Sequence, residues 1–452
     1  MSAALLLLNR DLRVNDHPAL RAAAAAEEIL PLFVFDDAIL GVGPASANRL
    51  AFMLDSLADL RDSLQGLGTR LHIRRGDPVE EAIRLAHGSG ARQIHVSADW
   101  SAYARRREQR LARACQSERI RFERHPGVTI VPPGHVVPAG GDHFKVFTPY
   151  FRSWSEVRTR PLLDPPRRLA APNGIKAGEL PSLESLTAAS PSPELARGGE
   201  QEGRRRMRSF IRNLLPGYAD AHDDLPGDGT SRLSAHLHFG TVSPLELMQE
   251  ASERRGGEPF VRQLCWRDFH HQVLAAFPAL GRRDYRTRGD EWSASERSLA
   301  AWREGLTGYP IVDAGMRQLV REGYMHNRAR LIVASFLTKD LYLDWRHGAG
   351  HFRDLLADGD VASNAGNWQW VAGTGNDTRP NRVFNPIRQA QRFDPHGDYV
   401  RRYLPELEVI SGGAVHEPWR LGPLERGAIN YPDPIVDHAE AAAAFRASRS
   451  RD

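Results

Sequence analysis

Residues 358–370, DGDVASNAGNWQW, gather two acids, two asparagines, two glycines and two tryptophans into thirteen positions. Neither a 3.6-residue nor a two-residue period organises the apolar members. On a helix Trp368 and Trp370 would point about 200° apart, so they cannot serve one surface. A core segment is not built this way. A wall for a large, flat, partly charged ligand is, because carboxylates, amides and indoles are the groups that hold one.

Three further constellations could carry chemistry. Thr230-Ser-Arg-Leu-Ser234 follows the turn-rich DLPGDG. Hydroxyls just before a helix cap its free N–H groups, and the same helix end suits a phosphate; the plainer reading is a capped helix and nothing more. In a helix expected over 258–277, Gln263, Trp266, Arg267 and His270 fall at i, i+3, i+4 and i+7 and share one face, with Leu264 and Val273 on another. Amide, indole, guanidinium and imidazole make poor core and a good pocket wall, although a solvated face with one half-buried Trp would look the same. The run MHNRAR (325–330) opens another helix. There Arg328 and Arg330 point to opposite sides, so one could meet a ligand while the other pairs with an acid such as Asp358. Trp292 and Trp345 complete the aromatic set, each taken singly an ordinary core residue.

These groups need elements to hold them. Residues 1–130 alternate apolar runs with helical stretches: strands at 4–9, 30–35, 69–74, 93–97 and 121–125, helices at 18–28, 48–65, 78–87 and 102–116. That βαβ rhythm predicts an α/β domain with a doubly wound parallel sheet. Gly41-Val-Gly43 lacks the third glycine of a dinucleotide fingerprint. Residues 131–200, rich in Pro, Gly, Ser and Ala, read as a long linker wrapped over the surface. From 201 to 452 helical periodicity dominates, so this half should be all-α; no internal repeat is visible.

The bulk numbers set the class. Apolar content of 41% and charge of 26% are ordinary for a soluble globular protein. The apolar run at 4–8 is far too short to span a bilayer and lacks the basic start of a signal peptide, so a cytoplasmic protein is expected. Net charge is +4, compatible with a nucleic-acid partner. Lys145, Lys176 and Lys339 are the only lysines among 60 basic residues. With so much Ala, Gly and Pro, a GC-rich genome explains that bias, and the positions of the arginines must carry any argument for phosphate recognition. Two cysteines, Cys115 and Cys265, exclude a disulfide framework and a four-cysteine metal centre. No metal site is expected.

In order along the chain, NRDLRVNDHPAL, TSRLSAHLHFG, VRQLCWRDFHHQ, AWREGLTGYPIVDAGMRQL, YMHNRARLIVASFLTKDLYLDWR, DGDVASNAGNWQW, FNPIRQ and HEPW resemble the cryptochrome/photolyase family. The likeness is strongest to class I cyclobutane pyrimidine dimer photolyases of the actinobacterial kind. It implies an antenna-chromophore domain over 1–130, a linker over 131–200 and a helical FAD- and lesion-binding domain over 201–452. It further implies that Tyr218 and Thr230, Ser231, Arg232, Leu233 and Ser234 hold the FAD phosphates. Asp358, Gly359 and Asp360 would meet the isoalloxazine and ribose, with Arg330 paired to Asp358 and Asn364 facing flavin N5. Trp368, Trp345 and Trp292, in that order outward, match the family's electron-transfer chain.

The implied substrate is UV-damaged DNA, with the dimer flipped out of the duplex and split by light-driven electron transfer from reduced FAD. Trp266 and Trp370 would grip the bases and Gln263 and Asn327 bond their edges. Arg328 and Gln389 would position the flanking backbone, with His222, Arg267 and His270 also on the DNA side. Three positions depart from the usual pattern: Gln263 replaces a common Glu, His222 a common Arg, and Tyr324 a Trp. A (6-4) photolyase needs paired histidines in this region; His326 remains, but Asn327 and Leu331 occupy the other two positions. A blue-light receptor often has a long C-terminal extension and a changed residue facing N5, whereas this chain ends soon after HEPW and keeps Asn364. For the antenna, Arg49 and Asp99 match positions of deazaflavin binders, and Arg107 stands where folate binders tend to have Asn. 8-Hydroxy-deazaflavin is therefore favoured over methenyltetrahydrofolate. A monomer is expected.

Overall fold

The computed structural model describes residues 3–40 and 46–449; the Gly41-Val-Gly43 run lies outside them. Five strands, β1 (Ala3–Leu7), β2 (Glu28–Asp36), β3 (His72–Gly76), β4 (Gln93–Ser97) and β5 (Arg121–His125), form one parallel sheet in the order β3-β2-β1-β4-β5. β1 is buried at every position, as an unbroken apolar strand covered on both faces must be. The order reverses between β1 and β4, the crevice where open α/β sheets take ligands.

Two local expectations are corrected. The first helix, Pro18–Ala23, stops five residues short of 28, although the alanine run 22–26 favours its continuation. β2 claims the chain at Glu28, and the Ile29 N–H bonds the Ala170 carbonyl, so tertiary pairing overrides propensity. β3 starts at His72 rather than 69, because Thr69 closes the preceding helix through the Leu64 carbonyl while its hydroxyl donates to the Ile29 carbonyl.

The 131–200 stretch is irregular apart from the helices Phe147–Ser155 and Leu183–Leu186. It is tightly held. The Ile73 N–H on the β3 edge bonds the Ala177 carbonyl at 2.7 Å, and Phe144, Phe147, Tyr150 and Trp154 are buried. The Asp268 carboxylate accepts from the N–H groups of Ile130 and Val131 and from Trp154 Nε1. The NRDLRVNDHPAL motif has a similar task. Buried Arg13 donates to the carbonyls of Asn15, Asp16 and Gly240, and Glu200 accepts from the Val14 and Asn15 amides.

These ties explain why the compact units do not follow the linear boundaries at 130 and 200. One unit comprises 1–191, 196–216 and 231–279; the other comprises 192–195, 217–230 and 280–452. The second has its own core, with Trp302, Val312, Val333, Phe336 and Tyr399 at its centre. Among the described residues no helix is long and apolar enough to cross a membrane.

Candidate active site

The 358–370 stretch lies in the second unit and folds mainly as the helix Val361–Ala372. Asp360 is its N-cap, accepting from the Ser363 N–H at 2.8 Å. A helix does form, against the absence of a clear period: its buried positions mix the small Ala362, Ala365 and Gly366 with Trp368, Gln369 and Val371, so no uniform apolar stripe marks it in the sequence. Trp368 is 3% exposed and Trp370 half-buried, so the two indoles do part company. Gln369 is fully buried. Its Nε2 donates to the carbonyls of Leu280 and Arg283, and its Oε1 accepts from the Tyr285 N–H. Sequence reasoning missed it, since nothing in the spacing of a Gln between two tryptophans announces a clamp.

Asp358, 9% exposed, is paired through both oxygens with the Arg330 guanidinium at 3.2 and 2.9 Å. Arg330 Nε is fixed by the Met325 carbonyl at 2.8 Å. The Asn364 amide nitrogen donates to the Ala349 carbonyl at 2.9 Å, which turns its oxygen the other way. Trp368 sits edge-on to Phe352 and Trp302, with ring centroids 5.0 and 6.0 Å away. It needs Gly348: a Cβ there would lie 2.1 Å from Trp368 Cη2. Gly348 belongs to the helix Trp345–Leu355, one turn on from Trp345, whose Nε1 donates to Asp284 at 2.8 Å. Ser293 bridges to Leu343, which sets half-buried Trp292 beside Tyr342 at 5.1 Å. The three tryptophans therefore hang on neighbouring segments of one framework.

The same unit holds other predicted residues. Tyr218 is buried, and the Thr230 hydroxyl meets the Tyr324 hydroxyl at 3.3 Å. Asn327 is exposed as the first residue of the helix Asn327–Ser335. Gln389 Oε1 is buried with no protein partner among the described residues. His222 turns Nδ1 to the Tyr218 and Ala219 carbonyls, both at 3.0 Å. Arg328 departs from expectation: it pairs through two nitrogens with Asp223 and lies 4.3 Å from the Phe393 ring centroid. Both arginines of the MHNRAR run thus have a carboxylate. Two residues outside the expected set also belong to this unit. The Arg382 guanidinium covers the Trp370 ring at 4.9 Å, and Lys339 donates to the carbonyls of Pro380 and Arg382. Burial pushes the Lys339 amine down to about 7.

In the first unit, the helix Ser234–Phe239 begins at Ser234 with Leu233 as its N-cap, and no side chain caps it. The expected Thr/Ser cap is corrected: Ser231 Oγ instead accepts from the Leu233 N–H at 3.3 Å, and Arg232 takes φ +49°. First-turn amides without a side-chain cap are the donors a phosphate uses.

The predicted face belongs to the helix Gly257–Ala276. Gln263 is exposed. Trp266 is half-buried, one ring face covered by Phe147 at 3.7 Å and 3°. Arg267 donates to the Val128 and Leu237 carbonyls, and His270 is 4% exposed. The last two serve the interior, so only Gln263 and Trp266 of the four keep a surface to offer. Among the antenna candidates, Arg49 is half-buried near the start of the helix Ala47–Leu67. Asp99 is buried; it accepts from the Trp100 and Ser101 amides and lies 3.7 Å from Arg10.

Residues 4–170 match the family described as DNA photolyase, and residues 260–451 match the FAD binding domain of DNA photolyase. The chain is 53% identical over its whole length to a deoxyribodipyrimidine photo-lyase of Streptomyces griseus, with all of that protein covered. The fold is similar to a bacterial class III photolyase from Agrobacterium tumefaciens, with a TM-score of 0.93, 33% identity, and 100% and 98% of the two chains covered. It is also similar to a cryptochrome of Synechocystis sp. PCC6803, with a TM-score of 0.92, 29% identity and 99% of each chain covered.

Proposed function

Because the chain belongs to the cryptochrome/photolyase family, we propose that it is a light-driven lyase that repairs cyclobutane pyrimidine dimers in UV-damaged DNA. The observation that carries this reading is the end-to-end likeness to the Streptomyces deoxyribodipyrimidine photo-lyase. The identity to the cryptochrome structure is much lower, which sets the receptor reading aside.

The donors fit FAD. The hydroxyls of Thr230, Ser231 and Ser234 and the uncapped amides of the Ser234–Phe239 helix suit its phosphates, with Tyr218, Arg232 and Leu233 completing that run. Asp358, Gly359 and Asp360 suit the ring and ribose groups, while Arg330 compensates the Asp358 charge. Reduced FAD supplies, on excitation by light, the electron that opens the dimer's cyclobutane ring. The protein's own tasks are positional. Asn364, its amide nitrogen engaged by Ala349, offers an oxygen to a protonated N5. Trp368, Trp345 and Trp292 form the route by which electrons reach the flavin from the surface. Trp266 and Trp370 stack on the extruded bases, each already backed on one side, by Phe147 and Arg382 respectively. Asn327 and Gln263 bond base edges, and Gln389 and His222 meet the flanking backbone. Gln263 bonds without bringing a charge to the dimer, so it favours binding more than splitting. Arg328 acts through Asp223 as a positioning residue.

The antenna is 8-hydroxy-deazaflavin, held near Arg49 and Asp99; the absorption spectrum of native protein tests it. The protein acts as a cytoplasmic monomer. The decisive experiment incubates purified reduced holoprotein with dimer-containing oligonucleotides. Dimers should disappear under blue or near-ultraviolet light and persist in darkness. Persistence under light with FAD bound would overturn the reading.

A further inference from the structure

The functional reading leaves one cluster of side chains unused. β4 and β5 pair in parallel, with His95 opposite Glu123 and Ser97 opposite His125. Alternation along a strand then puts Gln93 and His95 on the same face as Arg121, Glu123 and His125. His95 Nδ1 lies 2.9 Å from His125 Nε2, and Glu123 Oε2 lies 3.7 Å from each of those nitrogens.

Two neutral imidazoles could share a proton at 2.9 Å, but that accounts for neither the carboxylate nor the outer partners. A tetrahedral zinc ion bound at 2.0–2.1 Å separates its donor atoms by about 3.3 Å, and the three observed separations bracket that value. Each of two donors is also oriented from behind. His95 Nε2 is 3.3 Å from Gln93 Oε1, which places the ring proton on that nitrogen and leaves Nδ1 a lone pair toward the cluster. The second oxygen of Glu123 is held by Arg121 Nε at 2.5 Å. His95 is 2% exposed, while the partly open His125 and Glu123 side chains leave a way in and room for water as a fourth ligand.

We propose that His95, Glu123 and His125 form a binding site for a late first-row divalent cation, with zinc the best match, clipping the edge strand β5 to β4. Two nitrogens and one oxygen suit zinc, nickel or copper rather than magnesium or calcium. The expectation of a protein without a metal site is revised accordingly.

The test uses full-length, FAD-loaded protein treated with chelator and titrated with Co²⁺, then Zn²⁺. One equivalent of Co²⁺ should bring visible d–d absorption that Zn²⁺ displaces, and Zn²⁺ should raise the melting temperature. His95→Gln and His125→Gln should each weaken binding by at least about tenfold, while the exposed control His135→Gln should not. A wild-type protein without the Co²⁺ absorption overturns the proposal, as does unchanged affinity in both ligand variants. Anomalous scattering from zinc-soaked wild-type crystals decides the matter even if the variants fail to fold. Zinc on these three side chains supports the site, and zinc only elsewhere refutes it.

Discussion

The 358–370 stretch and the Gly257–Ala276 helix both mix indoles, amides and charges, yet they use them differently. In the first, polar side chains across the stretch have a defined partner: Asp358 with Arg330, Asp360 with its helix end, Asn364 with Ala349, Gln369 with the 280–285 backbone. In the second, the shared face splits. Arg267 and His270 turn inward, and Gln263 and Trp266 stay available. A common helix face is therefore not a common task. The partners decide, and they come from elsewhere in the chain.

The largest effect that could break this contrast is at Arg330. Arg330→Ala leaves the Asp358 carboxylate buried without its cation, and should cost about 3–5 kcal/mol of stability with loss of FAD. Melting temperature and the flavin absorption of purified protein check it; a variant that keeps both would make the pair incidental. Trp370→Ala should weaken binding to dimer-containing DNA by roughly 1–3 kcal/mol, about fivefold to a hundredfold or more, in gel-shift or anisotropy titrations. Arg267→Ala should instead lower the melting temperature and leave DNA affinity within about threefold, since it loses main-chain hydrogen bonds. If Arg267→Ala weakens DNA binding as Trp370→Ala should and leaves the melting temperature unchanged, the inward role of Arg267 is wrong.

Gly348→Ala drives a methyl group into Trp368. Overpacking should cost about 1–3 kcal/mol, and flavin photoreduction under a fixed lamp should slow more than DNA binding weakens. The smallest effect is in pH dependence. Burial raises the Asp268 carboxyl to about 6. Folding therefore favours its protonated form, so this contribution to stability is full below the ordinary aspartate range and is lost as pH rises toward 6. Urea midpoints should fall across that window and level off above it, and Asp268→Asn should flatten the slope.

Much of the fold was legible. The five strands lie close to where the sequence put them, β3 displaced by three residues at its start; β1 is the plainest, because a strand covered on both faces must be continuously apolar. The helical half was legible from its period. The long connecting stretch was not, because its few buried aromatics sit among Pro, Gly and Ser with no regular spacing. Lys339 illustrates the same limit at the site. One of three lysines, it carries no mark in the sequence of its place, yet it is buried and donates to the backbone at Pro380 and Arg382.

By itself the sequence determined the residue types that can do chemistry, their order, and their family likeness, since these are properties of the chain. It also determined that Trp368 and Trp370 would diverge once that stretch became a helix. Only the tertiary structure decided which groups remain available. Arg328 found Asp223, Arg267 found two carbonyls, and His95 met Glu123 and His125 across a pair of strands. The reason is physical: a buried polar group must be satisfied, and its partner is chosen by proximity in space.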